Sequence, residues 1–485
     1  MEMTQAIPEQ SNDPDELLAQ LQAMRAGDVD WRQGRAWSLV YHAGEAHHEL
    51  MQRVYSLFLS DNALNPLAFK SLKRMESEVV AMTARMLNGP AEAVGTMSSG
   101  GTESILLAVK AARDRARAYK KWPRRPEIVA PRTIHPAFAK AAHYFGCKLR
   151  LVDVDKDFRA DVRALAAKIS YKTVLIAASA PQYPHGMIDP IEEIGALAQR
   201  KGIPFHVDAC FGGFILPWLE KLGHSVRPFD FRVPGVTSIS ADVHKYGYAP
   251  KGASVVVYRD MSYLRHQFFV STDFPGGIYI SPTMAGTRPG GAIACAWAAL
   301  KALGQHGYLE LAKQSLEAAR RLKDGIRATG ALEIIGSEDA TIVAFRSRDP
   351  AVDTYAVADQ LEARGWVMER QQRPVSLHLT AAPHHRPVVA EFLADLDAAT
   401  TAVRAQPNLK HQGQAAVYGM MAGVPIRGAV EAAVRKVMEG MYQPGADGTD
   451  LQELTGGQAA PGWMQSVQRW APMLGNLGKR LSRNQ

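Results

Sequence analysis

The stretch SADVHKYGYAPKG, residues 240–252, is the most informative segment of this chain. In it, Lys245 follows a histidine and precedes a glycine turn, and a second lysine, Lys251, stands six residues later. An enzyme that binds an aldehyde cofactor covalently needs a lysine amine of this kind, with further positive charge nearby. Because most lysines of soluble proteins are solvated surface charges, the hypothesis that Lys245 forms a Schiff base depends on other segments.

A glycine-rich turn leads into a predicted helix at residues 97–116, MSSGGTESILLAVKAARDRA. Gly100, Gly101 and Thr102 stand where the apolar periodicity of this helix begins. Backbone N–H groups at a helix N-terminus bind phosphate when no bulky side chain lies in the way. The segment therefore predicts a site for the phosphate group of a cofactor, and the alternative is a helix cap with a glycine turn.

Two strand ends carry further candidate ligands. Asp208 ends the apolar run in FHVDACFGGF, residues 205–214, and a carboxylate there would keep the nitrogen of a pyridine ring protonated. His135 follows another strand and offers a flat ring for stacking at the edge where α/β sheets bind their ligands. Alone, each has a plainer interpretation, a turn former or a solvated loop histidine. Together with Lys245 they indicate pyridoxal 5′-phosphate as the cofactor.

Short β-branched runs alternate with helical stretches from about residue 75 onward. These runs are EIVAP (127–131), KLRLVDV (148–154), TVLIAASA (173–180), PFHVDA (204–209), VTSISAD (236–242) and ASVVVY (253–258). Such alternation predicts an α/β fold with a mostly parallel sheet between helices. A second group of strands, LEIIG, TIVAFRS, WVMERQQ and SLHLTAA, precedes a covering helix at 388–405 and predicts a smaller C-terminal α+β domain.

The predicted organisation has four parts. These are an N-terminal arm with a helix capped by Asp13 (1–60), a large cofactor-binding domain (61–305), the small domain (306–440), and a linker with a basic tail (441–485). In the tail, apolar residues recur at helical spacing from Trp463 to Leu481. They predict an amphipathic helix that packs on its own protein, and peripheral membrane contact is the alternative.

Composition narrows the class of protein. The chain has 485 residues, of which 47% are hydrophobic and 21% charged, as in ordinary globular proteins. Cys147, Cys210 and Cys295 are widely separated, which favours neither disulfides nor a metal site and suits a cytoplasmic location. We find no signal-peptide pattern and no run long enough to span a membrane. The net charge of +8 is scattered and comes without a nucleic-acid-reading motif, so we expect no nucleic-acid partner.

These segments, in this order, resemble the fold-type I, group II pyridoxal-phosphate enzymes. The similarity extends to long motifs of the sphingosine-1-phosphate lyase family and runs from about Ser38 to Tyr442. The motifs are SGGTESILLAVKAARD, APQYPHGMIDPIEEI, HVDACFGGF, SADVHKYGYAPKGASVVVYR, FPGGIYISPTMAGTRPGGAIACAWAAL and AVYGMM. The resemblance implies retro-aldol cleavage of the C2–C3 bond of a phosphorylated sphingoid base, to a long-chain aldehyde and phosphoethanolamine.

The resemblance also implies roles for particular residues. Lys245 would bind the cofactor aldehyde, Asp208 would face the pyridine nitrogen, and His135 would stack on the ring. The cofactor phosphate would lie near Gly101, Thr102 and His244. The substrate phosphate would be bound by Lys251 and Tyr41, and by Tyr279, Ser281 and Arg288 of a loop lent to the neighbouring subunit, which makes the expected enzyme an obligate homodimer with shared sites.

One departure from the family falls in the substrate site. The chain reads NALNPLAF where relatives often read NPLHPDIF, so Asn65 takes the place of a histidine. An amide donates a hydrogen bond but carries no charge, so we expect either a lower affinity for phosphate or a site suited to another head group. The chain also lacks the transmembrane anchor of eukaryotic members, which implies the soluble, bacterial type.

Three questions stay open from the residues alone. The acceptor of the 3-hydroxyl proton is His185, Lys251 or a tyrosine such as Tyr41 or Tyr418. An amino-acid decarboxylase of the same superfamily would share the cofactor residues and break a bond to a carboxylate instead. A non-catalytic protein that binds lipid phosphate is the alternative from another class, although such a protein has no need of a Schiff-base lysine.

Overall fold

The computed structural model describes residues 6–119, 124–336, 340–423 and 427–443. Its strands are β1 (Val94–Ser98), β2 (Glu127–Pro131), β3 (Lys148–Val152), β4 (Thr173–Ser179), β5 (Phe205–Asp208), β6 (Ser238–Ala241), β7 (Ser254–Tyr258), β8 (Phe269–Ser271), β9 (Tyr279–Ser281), β10 (Leu332–Ile335), β11 (Ile342–Ser347), β12 (Glu369–Gln372) and β13 (Val375–Thr380). Its helices are α1 (Pro14–Met24), α2 (Glu45–Leu57), α3 (Lys70–Met86), α4 (Gly101–Tyr119), α5 (Ala137–Tyr144), α6 (Val162–Lys168), α7 (Ile191–Lys201), α8 (Leu216–Lys221), α9 (Met261–Leu264), α10 (Gly290–Ala328), α11 (Thr354–Glu362), α12 (Val389–Ala405), α13 (Gly413–Gly423) and α14 (Arg427–Met441). Three short 3-10 helices cover Arg25–Gly27, Pro383–Val388 and Pro407–His411.

A seven-stranded sheet in the order β1-β7-β6-β5-β4-β2-β3 forms the large core. The pairs from β3 to β6 are parallel, whereas β7 is antiparallel to both β6 and β1. The six predicted strands of this sheet are all present, and β2, β4, β5, β6 and β7 are buried along their length. The mostly apolar runs of β2, β4 and β7 are typical of strands buried on both faces, whereas β5 and β6 also bury polar residues such as His206 and Ser240. Strand β1 was not predicted, because VGTMS combines a glycine with polar residues and has no continuous apolar run.

Neighbouring parallel strands end at one edge of this sheet. Ser179 at the end of β4 pairs with Asp208 at the end of β5, and Asp208 pairs with Ser240 in β6. Carboxyl ends of parallel strands are where open α/β sheets bind ligands. The chain passes from β6 directly into the loop that carries Lys245, so the fold brings both residues to the same edge.

The second sheet has the order β10-β11-β13-β12 and is antiparallel throughout. Its four strands and the covering helix α12 confirm the elements predicted for the C-terminal region. Helix α10 runs from the large core to this sheet and is kinked at Gly304, whose φ is 55°. The predicted boundary at 305/306 therefore falls inside this helix beside the kink, and the division into domains remains a prediction.

The N-terminal arm begins with the predicted helix, in which the Asp13 carboxylate accepts the N–H groups of Asp15 and Glu16. Further along, Trp37 is fully buried and stacks on Trp366, with ring centroids 5.9 Å apart, so the arm packs on the small sheet. The predicted tail helix from Trp463 to Leu481 lies outside the described residues. Within the described part of the chain, no helix is long and apolar enough to cross a membrane.

Candidate active site

Lys245 forms an ion pair inside the loop that follows β6. Its Nζ lies 3.0 Å from Asp242 Oδ2, and the Asp242 side chain is only 2% exposed. The His244 ring lies beside the same oxygen, with Nε2 at 3.6 Å. His244 Nδ1 accepts the backbone N–H of Ala253 at 3.3 Å, so the proton of the neutral ring is on Nε2.

The electrostatics of this loop favour a charged pair. Burial alone would lower the pKa of Lys245, but the Asp242 carboxylate, with smaller contributions from Tyr41 and Cys210, raises it above the usual value. Burial would raise the pKa of Asp242, but Lys245 and His244 lower it. Burial also lowers the pKa of His244 to about 4, so its imidazole is neutral at neutral pH.

The predicted phosphate loop lies against this pair. A Cβ atom on Gly101 would be 2.7 Å from Cys210 Sγ and 2.8 Å from Asp242 Oδ2, so this position has no space for a side chain. A Cβ atom on Gly100 would be 3.3 Å from His244 Cε1. Thr102 follows in the first turn of α4 and is exposed. The structure thus brings the glycine turn and the lysine loop together, although they are separated by about 140 residues in the sequence.

Asp208 is 7% exposed at the end of β5, where its Oδ1 accepts the N–H of Cys210 at 3.1 Å. Behind it, His206 is fully buried and its two ring nitrogens contact the hydroxyls of Ser238 and Ser240 at 2.8 and 3.2 Å. Burial lowers the pKa of His206 to about 4, so this imidazole is uncharged at neutral pH. Asp208 is therefore held in a rigid polar network at the edge where ligands bind.

His135 stands between β2 and α5 with an exposed ring. Its Nδ1 accepts the backbone N–H of Ala137 at 3.2 Å, which fixes the orientation of the ring and leaves Nε2 with the proton. Strand β2 is separated from β5 by β4 alone, so His135 belongs to the same edge of the sheet. Its role in stacking remains a prediction.

Tyr41 and Lys251 lie next to each other and close to Lys245. The Lys251 Nζ is 5.2 Å from the centre of the Tyr41 ring and 3.4 Å from the carbonyl oxygen of His244. Burial and the nearby charge of Lys245 lower the pKa of Lys251 to about 8. Burial raises the pKa of Tyr41 above its usual value, and Lys245 opposes this only in part. Lys251, the cation predicted to bind the substrate phosphate, therefore lies close enough to Lys245, the predicted Schiff-base lysine, for their charges to interact.

Tyr183 belongs to this cluster and was not singled out from the sequence. Burial raises its pKa to about 12, Glu369 adds to this, and the charge of Lys245 opposes it. Its ring packs on His378 of the small sheet, with centroids 4.3 Å apart. The motif APQYPHG contains Tyr183, but the sequence offered no sign that its side chain lies close enough to Lys245 for their charges to interact.

The residues predicted to bind substrate phosphate from the loop before α10 make contacts within their own chain. The Arg288 guanidinium pairs with the buried Glu76 carboxylate at 2.7 Å, and the Ser281 hydroxyl donates to the carbonyl oxygen of Thr283 at 2.9 Å. Tyr279 is partly exposed on β9. Asn65 uses its side-chain oxygen to accept two N–H groups of the following turn, from Leu67 and Ala68. Their roles toward phosphate remain predictions.

Two of the proposed proton acceptors lie in other surroundings. The His185 ring packs on Phe158 at 4.5 Å, and burial lowers its pKa to about 4. Tyr418 packs on Tyr355, with Arg370 5.5 Å from the centre of its ring. Of the four candidates, only Tyr41 and Lys251 interact with the Lys245 loop within the described part of the chain.

Comparison with known proteins agrees with this geometry. The pyridoxal-dependent decarboxylase conserved domain matches residues 3–348. The chain is 47% identical over 435 residues to the sphingosine-1-phosphate lyase of Arabidopsis thaliana, covering 88% of this chain and 79% of the relative. It is 45% identical over 417 residues to sphingosine-1-phosphate lyase 1 of Rattus norvegicus, covering 85% and 73%. The solved sphingosine-1-phosphate lyase of Burkholderia pseudomallei superposes with a TM-score of 0.83 at 37% identity, over 91% of this chain and 98% of that one.

The chain therefore belongs to the pyridoxal-dependent decarboxylases and, among them, to the sphingosine-1-phosphate lyases. This confirms the resemblance, the fold class with its mostly parallel sheet, and pyridoxal 5′-phosphate as the cofactor. It also confirms the class of enzyme, a carbon–carbon lyase that depends on this cofactor.

The residues present fit that cofactor. A side chain at position 101 would collide with Cys210 and Asp242, so the glycine allows the first turn of α4, where N–H groups can bind a phosphate group, to lie beside the Lys245 loop. Asp242 Oδ1 is buried and has no hydrogen-bond partner in the part of the chain that the structure describes. Lys245 would hold the cofactor by its amine, Gly101 and Thr102 would contact the phosphate, and Asp208 would face the ring nitrogen.

Proposed function

We propose that this protein cleaves the C2–C3 bond of phosphorylated sphingoid bases by a retro-aldol reaction, with a long-chain aldehyde and phosphoethanolamine as the products. The observation that carries the proposal is the second lysine of the site. Lys251 lies close enough to Lys245 and Tyr41 to interact with both, and a cation there suits a substrate that ends in phosphate. The relatives named above support the choice of substrate.

When bound, pyridoxal 5′-phosphate supplies the electron sink for a carbanion at substrate C2. Asp208, fixed by the Cys210 N–H, would hold a proton at the ring nitrogen so that the sink stays effective. Lys251 would bind the substrate phosphate and so place the C2–C3 bond. The flat ring of His135 would limit the movement of the reacting group from one side.

The proton of the 3-hydroxyl has to pass to a neutral base close to Lys245. Tyr41 is a phenol with a raised pKa and is therefore protonated at neutral pH. Lys251, with a pKa of about 8, has about one tenth of its amine neutral at pH 7. Both residues belong to the polar cluster around Lys251, and of the two only Lys251 has a neutral, proton-accepting form in appreciable amount at pH 7.

The test compares substrates and products directly. Purified protein is incubated with a phosphorylated sphingoid base, with glutamate and with aromatic amino acids. Fatty aldehyde and phosphoethanolamine in equal amounts are expected from the first, and Lys245→Ala is expected to lose both this turnover and the visible absorption of the bound cofactor. Carbon dioxide from the amino acids would show a decarboxylase instead. Tight binding of the phosphorylated lipid without products would show a non-catalytic protein.

We also propose that the enzyme is a homodimer with shared sites. The hairpin β8–β9 and its connection expose large apolar side chains, namely Phe269, Val270, Phe274, Ile278 and Ile280. An exposed apolar patch of this kind is typical of a surface that another subunit covers. Tyr279, partly exposed in the same hairpin, would then reach the neighbouring site.

Mixed dimers test the sharing. Lys245→Ala and Tyr279→Ala are each expected to be inactive as homodimers. If Tyr279 serves the neighbouring site, a dimer of one variant with the other contains one site with both defects and one intact site, so activity returns on mixing after reversible dissociation. If each site uses its own Tyr279, both sites stay defective and no activity returns. Phe269→Asp is expected to produce monomers in light scattering, whereas Tyr171→Asp, at an exposed aromatic outside the hairpin, is the matched control.

We also propose that the enzyme is cytoplasmic. Cys210 and Cys295 are buried free thiols, and Cys147 is a partly buried one, as expected in a reducing compartment. Membrane contact through the tail concerns residues outside those described and is not proposed.

A further inference from the structure

A buried carboxylate that no motif assigned lies directly beneath the amine of Lys245. Asp242 directly follows β6, and β6 pairs with β5, whose last residue is Asp208, the carboxylate predicted to serve the cofactor ring. One of its oxygens, Oδ2, contacts the Lys245 amine at 3.0 Å. The other, Oδ1, is buried and has no hydrogen bond within 3.5 Å among the described residues, although the Ser254 hydroxyl lies near the carboxylate. An unpaired buried oxygen costs about 1–3 kcal/mol, so its retention calls for a reason.

The surroundings of Asp242 favour its charged form. Both of its oxygens would lie within 2.9 Å of a Cβ atom on Gly101, so the carboxylate packs against the first turn of α4. The N-terminus of a helix attracts negative charge because its first N–H groups have no partner in the helix. The absence of a side chain at Gly101 thus makes room for this carboxylate beside the first turn of α4.

The charged and titratable groups around Lys245 come from four segments. Asp242, Lys251 and the neutral His244 belong to the loop after β6, Cys210 to the loop after β5, Tyr183 to the loop after β4, and Tyr41 to the N-terminal arm. Lys251 opposes a positive charge on Lys245, and the two tyrosines and the thiol are neutral at neutral pH because burial raises their pKa values. Asp242 is therefore the one carboxylate in direct contact with the amine among the described residues.

We propose that Asp242 is a positioning residue for Lys245: in the cofactor-free protein it holds the amine in place as an ammonium ion, and it determines the pH above which that amine reacts with an aldehyde. The proposal rests on the proposed role of Lys245. In the capture step, the ammonium first gives one proton to the Asp242 carboxylate or to water. The neutral nitrogen then bonds to the aldehyde carbon, and the aldehyde oxygen leaves as water with the two remaining amine hydrogens.

Removing the charge of Asp242 should make Lys245 more reactive at a given pH. Asp242→Asn keeps the shape of the side chain, but burial and Lys251 then act on the amine without an opposing charge. The amine is expected to lose its proton at a pH at least one unit lower. That shift corresponds to about tenfold more neutral amine at any pH below both midpoints.

The experiment measures the reactivity of Lys245 and not turnover. Full-length protein is freed of cofactor by dialysis against cysteine and acylated briefly with acetic anhydride at a series of pH values. The modified fraction of the Lys245 peptide is measured by mass spectrometry, with exposed Lys168 as the internal reference. In the wild type, the midpoint for Lys245 should lie above that for Lys168. A midpoint equal to or below that of the reference overturns the proposal without any variant.

The variants sharpen the result. Asp242→Asn should move the midpoint of Lys245 down by at least one pH unit, and Asp242→Glu should restore most of it. Asp230→Asn is the matched control, because Asp230 is also buried and ion-paired, with Arg232, outside the Lys245 loop. An unchanged midpoint in Asp242→Asn, or an equal shift in Asp230→Asn, refutes the inference.

A parallel measurement separates this inference from the proposed function. Wild-type protein loaded with pyridoxal 5′-phosphate is reduced with borohydride, and the modified peptide is identified. Attachment at Lys245 with an unchanged midpoint in Asp242→Asn overturns the role of Asp242 alone. Attachment at another lysine overturns the role of Lys245, and the present inference with it.

Discussion

Replacing Lys251 tests the link between the site and a phosphorylated substrate. Lys251→Met keeps the length of the side chain and removes its charge. A hydrogen bond that involves a charged group contributes about 1.5–3 kcal/mol, so the loss of one such contact with phosphate is expected to lower kcat/KM by about 10- to 150-fold. Most of this change should appear in KM, because the contact with phosphate is made before and during the reaction alike.

The pH dependence gives a more specific expectation. Burial, together with the charge of Lys245, lowers the pKa of Lys251 to about 8. The amine binds phosphate as a cation, which is present below that pH and lost above it. The kcat/KM of the wild type is therefore expected to fall as the pH rises through about 8. Lys251→Arg keeps its charge at all these pH values, so in this variant the fall near pH 8 should disappear.

Initial rates of aldehyde release between pH 6.5 and 9.5 measure these effects, with cofactor occupancy monitored by its absorption at each pH. A fall near pH 8 that persists in Lys251→Arg would assign the titration to another group. A rate that rises through pH 8 would make Lys251 the proton acceptor and not the phosphate ligand. An unchanged KM in Lys251→Met would refute the contact.

Three other variants have expected outcomes. Glu76→Gln leaves the partly buried Arg288 guanidinium without its carboxylate, a change that costs about 3–5 kcal/mol, so the melting temperature should fall. Adding Arg288→Met should recover part of the loss, and equal melting of the single and double variants would show no coupling. Gly101→Ala would bring a methyl group within 2.7 Å of Cys210 Sγ and should weaken cofactor retention on dialysis by about 1–3 kcal/mol, which unchanged retention would contradict. Asp208→Asn should keep the cofactor bound and lower turnover at least about 100-fold, and turnover near the wild-type rate would remove Asp208 from the site.

Several elements were predictable from the sequence because local chemistry determines them. The runs at β2, β4 and β7 are mostly apolar and rich in β-branched residues, and a strand buried on both faces has that composition. The cap at Asp13 followed by proline predicted where α1 begins. Strand β1 has no such local composition and was not predicted. It is held in the sheet by its pairing with β7, which lies about 160 residues away in the sequence.

The residues of the candidate site likewise fall into two groups, those that local sequence pointed to and those that only the folded chain revealed. Lys245, Asp208 and Gly101 stand in segments whose residue types match the chemistry of one cofactor, so the sequence alone identified them. Asp242 and Tyr183 carry no such local signal. Their importance comes from distances and charges in the folded chain, such as the 3.0 Å contact between Asp242 and the Lys245 amine.

The sequence alone determines that this protein is an α/β enzyme with an aldehyde cofactor, because strand composition, a glycine turn and a lysine motif are local properties. Only the tertiary structure decided which carboxylate meets that lysine, that Arg288 is paired with Glu76 in its own chain, and that Lys251 lies beside Tyr41. The physical reason is that burial and Coulomb interactions depend on distance in space, and distances between remote segments exist only once the sheet has brought its strand ends together.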